Sequence, residues 1–478
     1  MLPEADTSAE RAALERALDH ALRWLDGRDE RPVGPTVGAP ELRRRLRRAL
    51  PEGPTDAVTI VDELARDVDG GLMGNNAGRF FAWVMGGAVP AAIAADWLAS
   101  AWDQNAGITA TAPAVAVIEE VAGAWMLDLL ELPGEASFGF TTGCQMAHLT
   151  ALAAARRRLL LDRGWDPERR GLRGSPPLRV LSGEHGHETV DRAAQFLGIG
   201  TENVHRVATA GGRMNPDSLA EALGAAGDDA VVVCLSAGDI HGGRFDDFRT
   251  LIPLCRRRPS TWVHVDGAFG LWVRVSDRHR GHLDGVEEAD SWIVDGHKWL
   301  NTTFDAGFVA VRDRDAHRGA MTAEAPYISD GGARDPVDWN PEWSRRARAV
   351  PVYAAIRALG RSGIAGVVDR CCDAVARIVS GLGEMPGAEV VMPVTTNQGL
   401  VRFLDPSGED DDAFTERVVA ALQADGTAFF TGMSWHGVSV MRVSAVGWNT
   451  TPDDVEATLA AAASVLSRLG REAAAPSA

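Results

Sequence analysis

The chain has 478 residues, 45% of them hydrophobic, and a formal net charge of −18. That length and apolar content suffice for a large core spread over two or more domains. The acidic balance argues against a nucleic-acid partner, which needs clustered cation, and the one strong basic run, Arg43-Arg44-Arg45-Leu46-Arg47-Arg48, reads as a solvated helix face or an interface contact.

Up to about residue 70 the pattern is that of amphipathic helices joined by a Pro/Gly-rich linker, Arg31 to Pro40. A helix-rich segment continues to Leu132. Its most apolar stretch, Ala112 to Leu132, is broken by Glu119, Glu120 and Asp128, so no membrane span is expected. The middle of the chain alternates short apolar runs with helical patterns. Strands are predicted at Leu178–Ser182, Ala230–Ser236, Thr261–Asp266, Ser291–Asp295 and Gly307–Val311, and helices at Gln145–Leu161, Thr189–Leu197 and Asn215–Leu223. Strands without alternation, separated by helices, indicate a mostly parallel sheet buried on both faces, an α/β layer architecture. Beyond Val350 a long helix, Tyr353 through Gly360 to Leu382, leads into strands at Leu400–Leu404, Thr427–Phe430 and Val438–Val443, and a helix at Pro452–Leu469 follows. The expected division is a helical segment (1–105), a large α/β domain (106–350) and a small α+β domain (351–478). The tail from Glu472 to Ala478 reads as frayed.

The five cysteines, Cys144, Cys234, Cys255, Cys371 and Cys372, form no CxxC pair and no zinc spacing. That suits a reducing compartment. Met1 to Asp6 is acidic and lacks the apolar core of a signal peptide. A cytoplasmic protein is expected.

Of the 48 lysine and arginine residues one is lysine, Lys298, in Asp290-Ser-Trp-Ile-Val-Asp-Gly-His-Lys298-Trp-Leu-Asn301. Arginine replaces lysine as a charge almost anywhere, but its guanidinium stays protonated. A buried lysine can lose its proton and attack an aldehyde. A lone lysine after a histidine, at the end of an apolar strand, points to covalent aldehyde chemistry.

Three further segments fit an aromatic aldehyde that bears a phosphate. Phe140-Thr-Thr-Gly143-Cys144-Gln145-Met-Ala147 is a small, polar turn opening a helix, where backbone N–H groups and the helix dipole attract an anion. In Trp262-Val-His-Val-Asp266-Gly-Ala268-Phe-Gly270 a strand ends in a carboxylate. Such a carboxylate can hold a pyridine nitrogen protonated and make the ring an electron sink; Ala268, two positions on, is small enough to lie against the ring. Ser182-Gly-Glu-His185-Gly-His187-Glu-Thr-Val-Asp191 puts His187 at a strand-to-helix turn, able to stack on the opposite ring face or simply to cap the helix. A metal on His185 and His187 is disfavoured, because no third ligand has suitable spacing.

In this order, the phosphate turn, histidine, strand-end aspartate and His-Lys pair resemble the pyridoxal-phosphate-dependent group II amino-acid decarboxylases, which include aromatic amino-acid and glutamate decarboxylases. The resemblance runs from Phe80 to Arg442. It implies the aspartate aminotransferase fold (fold type I) and pyridoxal 5'-phosphate as cofactor. It also implies Lys298 as the residue that carries the cofactor aldehyde, with Asp266 on the ring nitrogen and Ala268 and His187 on the ring faces. Gly143, Cys144, Gln145 and His297 would hold the phosphate. Within Ser236-Ala-Gly-Asp239-Ile-His241-Gly-Gly-Arg-Phe-Asp246, Asp239 or His241 would reach the ring's hydroxyl edge. It implies a homodimer with active sites at the subunit interface, where Arg79-Phe80-Phe81-Ala-Trp83 and Trp102-Asp-Gln-Asn105 line a substrate pocket partly supplied by the partner, unless these aromatics are ordinary packing.

The sequence departs from that family at one place. Members carry a tyrosine on a loop that protonates the substrate's Cα. Matching the segment that ends in Trp339-Asn-Pro-Glu-Trp-Ser-Arg345-Arg346-Ala-Arg348 puts Pro336 there. The two tyrosines, Tyr327 and Tyr353, fall before the loop and on the following helix. Proline has no proton to give and stiffens the chain. Either His187, His241 or a water then protonates Cα and an amine leaves, or oxygen-consuming chemistry yields an aldehyde, the outcome that loss of this tyrosine favours in the family. An aminotransferase is a further alternative, with Arg442 the one candidate carboxylate clamp. A cofactor-free scaffold of the same fold is a remote one.

Overall fold

A computed structural model describes residues 7–322 and 334–474. The readings of Met1 to Asp6, of Tyr327 and of the tail after residue 474 lie outside the described residues. Helices α1 (Thr7–Asp26), α2 (Ala39–Leu46), α3 (Ala57–Val68), α4 (Pro90–Trp102) and α5 (Pro113–Leu129) come first. Asp56 caps α3 by accepting the Thr59 N–H at 2.9 Å, and proline opens α4 and α5 where a missing N–H costs nothing.

The α/β region contains β1 (Ser137–Thr141), α6 (Cys144–Leu161), α7 (Pro167–Arg170), β2 (Leu178–Gly183), α8 (Thr189–Phe196), β3 (Val204–Val207), the small ribbon β4 (Thr209–Ala210) and β5 (Arg213–Met214), α9 (Pro216–Ala225), β6 (Ala230–Ser236), α10 (Phe248–Arg256), β7 (Thr261–Asp266), β8 (Ser291–Asp295), β9 (Gly307–Val311) and α11 (Arg314–Met321). Seven strands form one sheet in the order β1-β9-β8-β7-β6-β2-β3. All neighbours are parallel except that β9 runs against both β1 and β8. Strand β6 shows why its sequence has no alternation: Val231, Val233 and Leu235 join the core on one face, Ala230, Val232 and Cys234 the core on the other.

The remainder consists of α12 (Ala349–Gly383), β10 (Ala388–Val390), β11 (Gln398–Phe403), α13 (Asp411–Asp425), β12 (Thr431–Trp435), β13 (Val438–Ser444) and α14 (Pro452–Ala474), with a second, antiparallel sheet in the order β10-β11-β13-β12. Helix α12 breaks at Gly360, whose φ of 61° is costly for any residue with a Cβ. The five strands predicted in the middle region are present. The strand predicted at Thr427–Phe430 lies instead at Thr431–Trp435. Phe429 exchanges backbone bonds with Phe81 and Arg79, leaving Thr431–Trp435 to pair with β13. His436 and Gly437, both with positive φ, make the tight turn of that hairpin.

One buried cluster ties the chain after residue 333 to the large sheet. Glu119 on α5, 1% exposed, accepts from Arg345 Nη1 at 2.6 Å and Arg334 Nη1 at 3.2 Å. Arg334 and Arg345 also donate to the carbonyls of Phe138 and Phe140 on β1. Glu119→Ala strands the fully buried Arg345 without its counter-charge, and is expected to cost about 3–5 kcal/mol of stability. Denaturant unfolding measures this, and a midpoint equal to that of the parent protein contradicts it.

Candidate active site

Strands β1, β2, β6, β7 and β8 all end at one edge of the sheet, the edge where open α/β sheets hold their ligands. The turns that follow them converge on a cavity of about 390 Å³. Its lining includes Gly143, Cys144, Gln145, His185, His187, Asp239, Asp266, Ala268, Asp295, His297 and Lys298. Gly307, at the start of β9, makes this approach possible: a Cβ there would sit 2.5 Å from the Cα of Gly143.

Asp295 organises one end of the cavity. Its Oδ1 accepts the Cys144 N–H at 2.8 Å, and its Oδ2 lies 3.2 Å from Lys298 Nζ and 3.5 Å from His297 Nε2. Burial by itself would lower the Lys298 ammonium, but the carboxylates of Asp295 and Asp266 prevail and hold it above its ordinary value. The Ala306 N–H reaches His297 Nδ1 at 3.2 Å, so that ring carries its hydrogen on Nε2, facing Asp295.

Asp266 stands at the end of β7. Its Oδ1 accepts the Ala268 N–H at 3.1 Å. Burial opposes its ionisation, but the contact with His148 and the charge of Lys298 outweigh that and hold the carboxyl well below the usual carboxylate range. His187 receives the Thr189 N–H on Nδ1 at 3.3 Å and contacts the Thr189 hydroxyl there at 2.9 Å. Its hydrogen therefore sits on Nε2, and burial keeps the ring below the ordinary imidazole range, hence neutral.

The other predicted residues have different surroundings. Both oxygens of Asp239 accept backbone N–H groups, from His241 and Gly242 on Oδ1 and Arg244 on Oδ2, so this carboxylate folds its own turn at the cavity wall. His241 is off the lining and packs on Trp435 and His185. Phe80 and Phe81 are buried, stacked on Phe429 and Phe430. Asn105 accepts the Arg345 N–H at 3.0 Å, away from the cavity. Trp83 is 46% exposed. Arg442 donates to the Ile240 carbonyl at 3.1 Å, and its buried Nε has no partner among the described residues. Sequence reasoning missed Asp295, His148 and His264. The period of a strand could have found His264, two residues before Asp266 and on the same face.

A family model described as the pyridoxal-dependent decarboxylase conserved domain matches residues 40–404. The chain belongs to that family. This decarboxylase is 25% identical to the aromatic-L-amino-acid decarboxylase of Bacillus atrophaeus, over 92% of each chain. It is 26% identical to the 4-hydroxyphenylacetaldehyde synthase of Rhodiola rosea, over 89% of this chain and 88% of that one. The solved structure of Oryza sativa TDC with PLP and tryptamine superposes with a TM-score of 0.90 at 23% identity, covering 98% of this chain and all of the other. The fold is thus fold type I, and the enzyme is a decarboxylase that uses pyridoxal phosphate.

The cavity of this decarboxylase fits that cofactor. It offers an amine, a carboxylate that stays ionised, an imidazole and the small Ala268. The backbone N–H groups of Gly143 and Gln145 at the start of α6 donate to no other group among the described residues, whereas that of Cys144 is taken by Asp295. A phosphate can therefore use the first two directly.

Burial also holds His264 and His317 at about 3, whereas the unfolded chain titrates histidine near ~6.5. Below that pH the unfolded state binds protons the folded state refuses, so stability falls as pH drops from about 6.5 toward 3. The cofactor-free protein is expected to unfold at lower denaturant at about pH 5.5 than at about pH 7, by up to ~1.4 kcal/mol per histidine per pH unit. Equal or higher stability at the lower pH refutes this.

Proposed function

We propose that Lys298 Nζ carries the cofactor of an amino-acid decarboxylase whose ring nitrogen faces Asp266. The observation behind this reading is that the chain's one primary side-chain amine lies in the cavity, 3.2 Å from a buried carboxylate. Pyridoxal phosphate, when bound, supplies an aldehyde carbon and a ring that accepts the electrons of the breaking bond. Asp266 would keep its negative charge toward the ring, Ala268 and His187 would flank it, and Gly143 and Gln145 would receive the phosphate end, with Cys144 and His297, both engaged by Asp295, at the same turn. Asp295 retains Nζ as an ammonium whenever the substrate amine has displaced it. The side chains choose the bond that breaks by holding the substrate carboxylate perpendicular to the ring.

In this reading the proton reaches Cα through His187 once that ring has gained one from solvent, because a neutral imidazole is too weak an acid to give its own. Its Nε2–H is left for the cavity because Nδ1 is engaged by Thr189. Pro336 cannot serve. It is buried at the start of a short turn whose neighbours are bonded to the body: Val337 N–H to the Gly107 carbonyl at 2.9 Å, and Thr109 N–H to Asp335 at 2.7 Å. The product is then an amine. The same proline, together with the likeness to an aldehyde synthase, supports a second reading in which oxygen is consumed and an aldehyde forms.

An aromatic amino acid is the substrate class the relatives favour. The chain acts as a homodimer in the cytoplasm: exposed Leu14, Leu18, Leu22 and Leu64 on α1 and α3, and Trp97 and Trp102 on α4, offer a face for a second copy, and Trp83 would reach the partner's pocket. The five cysteines are unpaired.

Lys298→Ala is expected to abolish the holoenzyme's colour and to lower turnover by roughly a thousandfold or more. Persistence of both defeats the assignment, as does borohydride reduction that tags any other peptide. Incubation with amino acids under air and under nitrogen separates the two products. Amine formed equally in both gases supports the first reading. Aldehyde and peroxide that vanish under nitrogen support the second.

A further inference from the structure

Behind Asp266 lies a row of buried polar side chains for which the proposed chemistry has no use. His148, on α6, sets Nε2 3.4 Å from Asp266 Oδ2, at the long limit of a hydrogen bond, and among the described residues that nitrogen has no other partner. Its Nδ1 lies 2.9 Å from Nε2 of His264 on β7. His264 Nδ1 in turn lies 2.8 Å from Oγ of Ser291 on β8, which accepts the Trp262 indole N–H at 2.9 Å. Both imidazoles are 0% exposed.

The hydrogens of this row can be counted. An indole nitrogen only donates, so Ser291 Oγ is an acceptor toward Trp262. Among the described residues, the serine's own hydrogen has one acceptor within reach, His264 Nδ1. His264 then carries its hydrogen on Nε2 and gives it to His148 Nδ1, and His148 keeps Nε2–H for Asp266. The opposite polarity would place a positive charge on His148 and leave the Ser291 hydroxyl hydrogen buried without an acceptor, a costly arrangement.

We propose that His148 and His264 are positioning residues: two neutral imidazoles that orient the Asp266 carboxylate by hydrogen bonding and leave its charge for the cofactor ring. The assignment rests on the reading of Asp266 as the partner of the ring nitrogen. A cationic His148 would pair with Asp266 from behind and divide its charge. A neutral donor fixes the carboxylate and leaves its charge intact. The hydrogen count along the row, from the Trp262 indole to Asp266, selects the neutral form.

The test has two parts. Nitrogen-15 spectra of the cofactor-free parent protein, labelled at histidine and assigned with His148→Gln and His264→Gln, are expected to show both rings neutral with the hydrogen on Nε2. A cationic His148, or a hydrogen on Nδ1 of either ring, overturns the proposal. Fluorescence titration with pyridoxal phosphate is expected to show about tenfold or weaker binding for His148→Leu, and near-parent binding for His148→Gln, whose amide supplies an N–H. Parent affinity in His148→Leu overturns the proposal, as does a loss in His148→Gln equal to that in His148→Leu. Parent affinity in Asp266→Asn overturns the underlying reading of Asp266 and with it the role given to the pair. That failure is distinguishable, because it leaves the tautomers as they are.

Discussion

A single buried carboxylate, Asp295, joins three pieces of chain on which the site depends: the first amide of α6, the amine of Lys298 and the ring of His297. A carboxylate so removed from water is tolerable only when its lone pairs are engaged. It therefore holds the turn before α6 and the lysine loop to each other. The sheet makes the meeting possible. Thr141, Gly307 and Asp295 stand in one row across β1, β9 and β8, so the turn after β1 and the turn after β8 emerge side by side.

The electrostatics of the cavity follow from the same burial. Burial pushes His187 and His297 toward neutrality, Asp266 is kept ionised, and the lysine is held as an ammonium until something displaces its proton. Pro336 is buried and has no proton to give, which leaves groups on the cavity wall to supply one in the proposed reading.

Much of this was legible in the sequence. A lysine surviving alone among arginines marks Lys298 without any structure, and strand-end patterns mark Asp266 and the turn at Gly143. The central strands were readable because both faces of each are buried. What was not readable had physical causes. β1 is five residues, Ser137–Thr141, with a glycine in its middle. β12 contains Gly432 and Ser434 and is defined by its partner strand rather than by its own residues. Asp295 looked like the end of an apolar run, because its three partners are brought to it by the fold. His148 lies among alanines and leucines on α6, and only the packing of that helix on β7 reveals what it faces. The aromatic pair Phe80 and Phe81 illustrates the opposite case. The family resemblance implied a pocket, with ordinary packing as the alternative, and contacts with Phe429 and Phe430 favour packing in the interior.

The reversed direction of β9 has a mechanical consequence. Because it lies antiparallel beside β8, the segment bearing Lys298 leaves the sheet at Asp295 and re-enters on the adjacent rung at Gly307. A span pinned at both feet to neighbouring rungs is a closed arch, not a swinging arm. The reactive amine takes its stiffness from the interior of the sheet, and slack in the outer helices has little leverage over its position.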